Sequence, residues 1–130
     1  MKKLNIACVI DDDKMYTQIL SKQLGALDFC ERLLIFHNGL DAWNYLRSIM
    51  ASPDLLPDVI LVDLNMPVMD GWQFLDEFVT VQPAKKIKIY IVSSSIDPAD
   101  HARAATYKEV SRFYIKPITK TIFAEILAAA

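Results

Sequence analysis

Short apolar runs recur along this chain, and each is followed by a longer stretch whose apolar residues fall at helical spacing. The runs are Leu4–Ile10, 33–36, Val59–Val62, 87–92 and 113–115. The first is nearly unbroken, as a strand buried on both faces should be. Residues 14–27 then align Tyr16, Ile19, Leu20, Leu24 and Leu27 on one helical face. Residues 40–50 repeat the pattern with Leu40, Trp43, Leu46 and Met50, and Ser52-Pro53 breaks that helix. A third helix over 72–80 would bury Phe74, Leu75, Phe78 and Val79. Asp97-Pro98 starts a fourth, reaching about Lys108, with a capping carboxylate and proline at its first position. Residues 119–128 close the series with Ile122, Phe123, Ile126 and Leu127 on one side. Strands alternating with helices predict an α/β doubly wound, five-stranded parallel sheet with five helices, covered on both faces.

In such sheets ligands bind beyond the carboxyl ends of the strands. The residues found there form a consistent set. Asp11 and Asp12 follow the first run, Asp63 the third, Ser93 the fourth and Lys116-Pro117 the fifth. Carboxylates gathered within a few ångströms repel, so packing alone does not explain them. A small oxygen-seeking dication such as Mg²⁺ (or Mn²⁺) would relieve that repulsion. Asp63 opens the loop Asp63-Leu64-Asn65-Met66-Pro67-Val68-Met69-Asp70-Gly71, where an exposed carboxylate can attack phosphorus and form an acyl phosphate. Lys116 and the metal would neutralise charge on the transferred group, and Ser93 would donate to one of its oxygens. A carboxylate is ionised at neutral pH, so no separate base is needed.

Composition narrows the partners. At 130 residues, 53% hydrophobic and 23% charged, the chain predicts one globular domain over 1–130. A net charge of −2 gives no reason to expect nucleic acid or an anionic membrane. The one basic cluster, Lys85, Lys86 and Lys88, reads as the solvated start of a strand. Met1-Lys2-Lys3 before apolar residues superficially resembles a leader, but Asn5 and three aspartates interrupt it. No run approaches the roughly 18 apolar residues of a membrane span. Cys8 in a strand and Cys30 in a connection fit a reduced cytoplasm, and His37 and His101 stand too far apart for a metal pair.

Asp11-Asp12, the stretch 63–71, Ser93 and Lys116-Pro117 resemble, in order and spacing, the motifs of receiver domains of two-component response regulators. The resemblance spans essentially the whole chain and is nearest the stand-alone, chemotaxis-regulator-like receivers. It implies a flavodoxin-like strand order 2-1-3-4-5, carried over from the family. It implies Asp63 as phosphoacceptor, Asp12 and Asp63 as direct metal ligands, Asn65 as a ligand through its backbone carbonyl, and Asp11 acting through a metal-bound water. Ser93 and Lys116 would contact the phosphoryl group, and the bond before Pro117 would be cis. Phe113 would be the aromatic switch, turning inward as Ser93 moves and altering the face made by helix four, strand five and helix five. A plain core aromatic is the other reading of Phe113. The implied partners are a histidine kinase or phosphotransfer protein and a downstream protein the sequence does not name, with dimerisation on phosphorylation left open. The implied activity is self-catalysed acceptance and hydrolysis rather than enzymatic turnover, with no output domain attached.

Departures qualify the resemblance. Tyr107-Lys108-Glu109-Val110-Ser111 replaces a frequent Gly-Ala pair, and the extended connection 51–58 resembles some receivers that follow phytochrome-type kinases. Asn65, Ser94 and Ser95 occupy positions that tune water access, predicting a moderate rate of self-dephosphorylation. Two other readings remain. A haloacid-dehalogenase-like phosphatase would use Asp11-Asp12-Asp13, but Met15 stands where threonine or valine is expected and little room is left for its later acidic motif. A receiver fold used as a phosphorylation-independent interaction module would bind its partner equally well with Asp63→Asn.

Overall fold

The side chains of a buried parallel strand alternate between two helical layers, and that alternation organises this chain. The computed structural model describes residues 3–130; Met1 and Lys2, part of the leader-like start weighed above, lie outside the described residues. The elements run β1 (Leu4–Ile10), α1 (Lys14–Ala26), β2 (Cys30–Phe36), α2 (Gly39–Ser48), β3 (Val59–Val62), α3 (Gly71–Phe78), β4 (Lys88–Ser93), α4 (Pro98–Ala104), β5 (Val110–Ile115) and α5 (Lys120–Ala129). All strand pairs are parallel and the order is β2-β1-β3-β4-β5.

Cys8, Ile10, Ile60, Val62, Ile89 and Ile91 face α2, α3 and α4, meeting Ala42, Leu46, Phe74, Leu75, Phe78 and Ala104. The residues between them, Ala7, Val9, Val59, Leu61, Tyr90 and Val92, face α1 and α5 and meet Leu20, Leu24, Phe123 and Ile126. Phe29 and Phe123 pack edge to face there with centroids 5.7 Å apart. Each Val, Leu, Ile or Phe side chain fully buried here contributes about 1.5–3 kcal/mol. No helix among the described residues is long and apolar enough to cross a membrane.

Several expected details are corrected. Cys30 begins β2 instead of lying in a connection, and β5 starts at Val110, three residues early. Both are edge strands with solvent-facing Glu31, Arg32, Ser111 and Arg112, which hide the apolar signal. Ile19 is 51% exposed, whereas Thr17 is buried and satisfies its hydroxyl on the Lys14 carbonyl at 3.0 Å. Helix α4 stops at Ala104, well before Lys108. The amides of Thr106 and Tyr107 turn back to Arg103 and Ala104, tightening the chain beyond a helical continuation.

Candidate functional site

The sheet register brings the predicted residues to one edge. Ile10 pairs with Val62, so Asp11 and Asp63 emerge side by side, and the Asp63 amide bonds the Ile10 carbonyl at 2.9 Å. On the other flank Ser93 pairs with Ile115, and the Lys116 amide bonds the Ser93 carbonyl at 2.9 Å. The three consecutive aspartates have separate tasks. Asp13 caps α1 by accepting from the Tyr16 amide at 3.0 Å. Asp12 is exposed, and Asp11 turns into the pocket with its Oδ1 held by the Asp13 amide at 3.0 Å. Of the three, only Asp13 serves the start of the helix.

Asp11 and Asp63 are 3% and 8% exposed, and Ser93 is fully buried. The Lys116 ammonium stands 2.6 Å from Asp11 Oδ2 and 3.2 Å from Asp63 Oδ2, while Asp63 Oδ1 accepts from the Leu64 amide at 2.7 Å. Burial raises the Asp63 carboxyl above its ordinary range, and the Asp11 charge adds to that. Lys116 and the Leu64 N–H work against the rise. For Lys116, burial pulls its affinity for the proton down, but the bond to Asp11 and the two negative charges outweigh it, leaving a raised value.

Asp11, Asp12 and Asp63 each offer a carboxylate oxygen, all within 4.8 Å of one another. Three carboxylates against one ammonium leave uncompensated negative charge, and the donors are hard oxygens. That set fits Mg²⁺ or Mn²⁺. Asn65 lies two residues beyond Asp63, exposed on the loop leaving β3. The loop is pressed inward by Gly71, where a Cβ would stand 2.3 Å from the Asp63 carbonyl oxygen. Asp70 and Gln73 close a capping box around that start of α3.

The Lys116–Pro117 bond is cis. The Ser93 hydroxyl accepts from the Ser95 amide at 3.2 Å, and the Ser95 carbonyl is 3.1 Å from His101 Nε2. The His101 ring in turn stacks on half-buried Phe113 with centroids 3.8 Å apart. In the sequence His101 stands isolated, and nothing in its spacing foretells a stack across α4 and β5. Tyr16 packs against the core from α1, as its helical spacing predicts, and its ring centroid also lies 4.4 Å from the Lys116 ammonium. His37 bonds the Asp11 backbone carbonyl at 3.0 Å and holds no metal cluster with other residues among those described. Within the basic cluster only Lys86 is exposed; Lys85 is half-buried and pairs with Asp58 at 2.7 Å, and Lys88 is half-buried.

A family model described as the response regulator receiver domain matches residues 7–128. The chain is 25% identical to the chemotaxis protein CheY of Listeria monocytogenes over 122 residues, covering 94% of this chain and 95% of that protein. A two component response regulator from Cytophaga hutchinsonii superposes with a TM-score of 0.86 at 26% identity, covering 99% of this chain and all of that one. The receiver domain of sensor histidine kinase PA1611 from Pseudomonas aeruginosa PAO1 shares the fold with a TM-score of 0.77 at 18% identity, over 96% and 95% of the two chains. That neighbour carries a magnesium ion in its active site cleft.

Proposed function

Because this chain belongs to the response regulator receiver domain family of two-component systems, we propose that it accepts a phosphoryl group on Asp63 and signals through a change of surface. The observation that carries the reading is the Lys116 ammonium bridging Asp11 and Asp63 at the sheet edge. An oxygen of Asp63 attacks the phosphorus of a phosphohistidine on a kinase or phosphotransfer protein. The P–N bond breaks, the imidazole leaves, and an acyl phosphate remains on Asp63.

Lys116 follows the charge onto the phosphoryl oxygens, and Ser93 donates its hydroxyl to one of them. Asp11, Asp12, Asp63 and the Asn65 carbonyl would hold Mg²⁺ or Mn²⁺, which supplies charge neutralisation at the transferred group. The magnesium of the Pseudomonas receiver supports that assignment. Attack by water on the acyl phosphate returns Asp63 and inorganic phosphate, so no second substrate is turned over.

Movement of Ser93 toward the phosphoryl group would release its bond from the Ser95 amide. Ser95 then moves with respect to His101, and the support of Phe113 changes. This supports α4, β5 and α5 as the face read by a downstream protein. The experiment is intact mass after incubation with Mg²⁺ and acetyl phosphate. One phosphoryl adduct is expected on the wild type and none on Asp63→Asn or after chelation of the metal. An adduct retained by Asp63→Asn would exclude Asp63 as the acceptor.

A further inference from the structure

Tyr16 is a buried polar group that the proposed chemistry does not use. It lies in the first turn of α1, its own amide spent on the Asp13 cap. Its hydroxyl is buried without a hydrogen-bond partner, a position that normally costs free energy. The hydroxyl bonds nothing in the site, so what Tyr16 offers Lys116 is the face of its ring.

The Lys116 side chain is only 18% exposed and reaches the pocket on a flexible four-carbon stem. Asp11 and Asp63 engage two of its three N–H donors. The face of Tyr16 lies against the same ammonium, 4.4 Å from ring centroid to nitrogen. A cation over an aromatic face is attracted without a fixed hydrogen-bond direction.

We propose that Tyr16 is a positioning residue that keeps the Lys116 ammonium beside Asp63 while its hydrogen bonds are exchanged from carboxylate to phosphoryl oxygens. This rests on the phosphoacceptor reading above. When the acyl phosphate forms, the oxygen that Lys116 holds on Asp63 changes its charge and partner. An acidic or amide side chain in place of the ring would hold one N–H in a set direction and compete with the phosphoryl group. The ring holds the nitrogen in place and leaves its N–H groups free to turn. Burial raises the Tyr16 hydroxyl's affinity for its proton, so the phenol stays neutral and offers no rival anion.

The test compares Tyr16→Phe and Tyr16→Leu with the wild type in two measurements. The first is the rate of adduct formation with acetyl phosphate and Mg²⁺. Tyr16→Leu should slow it by about fivefold or more, from the size of such contacts when desolvated, and Tyr16→Phe should restore it. The second is the NMR shift of the Lys116 Cε protons in unphosphorylated protein. Ring current should move them upfield in the wild type and in Tyr16→Phe, and release them in Tyr16→Leu. A folded Tyr16→Leu that reacts at the wild-type rate overturns the proposal. So does a Tyr16→Phe as slow as Tyr16→Leu, because the hydroxyl would then be the working group. A wild type that binds Mg²⁺ but takes no phosphoryl group defeats the underlying reading. In that case the NMR shift still decides whether the ring holds Lys116.

Discussion

Val68 sits at the tip of the loop from Asp63 to Gly71 with φ of 68°, while the Met69 amide bonds the Pro67 carbonyl at 2.8 Å. A three-residue turn of that hand is strained, and a β-branched side chain suits it least. Val68 is 74% exposed, so its side chain recovers little by packing. Asparagine is several-fold enriched at positive φ and lacks the loose unfolded state of glycine. Val68→Asn should therefore raise stability by about 1 kcal/mol, within the range for relieved backbone strain. A thermal melt checks it, and an unchanged or lower midpoint would show that the turn carries no strain. At this scale the sequence was most readable where chemistry is concentrated. The place of Asp11, Asp12, Asp63, Ser93 and Lys116 at one sheet edge was legible, because Asp11, Asp63 and Lys116 directly follow strands, Asp12 stands one residue further on and Ser93 ends β4. That of Tyr16 was not, because its stance beside Lys116 depends on how α1 crosses the sheet, and period alone cannot report that.

Helix α4 has only seven residues, too few to be stable by itself, and is held at both flanks. On one side His101 stacks on Phe113 and bonds the Ser95 carbonyl. On the other, Arg103 lies 4.5 Å over Trp72, Tyr107 stacks on the same indole, and the Tyr107 hydroxyl bonds Asp76 at 2.5 Å. His101→Ala removes the first support and leaves the second. Amide exchange across 98–104 should then quicken by about tenfold, the effect of losing roughly 1.4 kcal/mol of local stability. Exchange unchanged from the wild type would mean that the α3 side alone fixes the helix. The elements themselves were legible in number, type and order. Their margins were less so, for identifiable reasons. The edge strands β2 and β5 mix exposed charge into their runs, and α4 is ended by backward turns at Thr106 and Tyr107 that carry no proline or glycine.

Across the whole molecule the buried, ionised Asp63 opposes folding, and a pH dependence follows. Burial and Asp11 raise the Asp63 carboxyl, so the native chain binds that proton more tightly than the unfolded chain. The penalty for ionising it is absent below the ordinary carboxylate value, about 4, and complete once pH exceeds the raised one. Asp63→Asn should thus stabilise the protein at pH 7 by about 1 kcal/mol, a few degrees in Tm. That gain should shrink as pH falls towards the ordinary carboxylate range. Asp58 behaves oppositely. Burial raises it, but the bonds from Lys85 and from the Ile6 and Asn5 amides outweigh that and lower it overall. Its contribution is present above the ordinary carboxylate value and lost as pH falls through the lowered one, so Asp58→Asn should cost stability at pH 7. Paired melts of both variants between pH 3 and pH 7 separate the two signs, and an Asp63→Asn melt below the wild type at pH 7 would contradict the first. The order of the strands also has a consequence for biosynthesis. A ribosome releases Asp11 first, Asp63 later and Lys116 after both, so two acidic strand ends emerge well before the cation that, among the described residues, bridges them. A nascent chain stalled ahead of Lys116 would carry both carboxylates without it, and translation of β5 both covers the open edge of β4 and brings the missing countercharge.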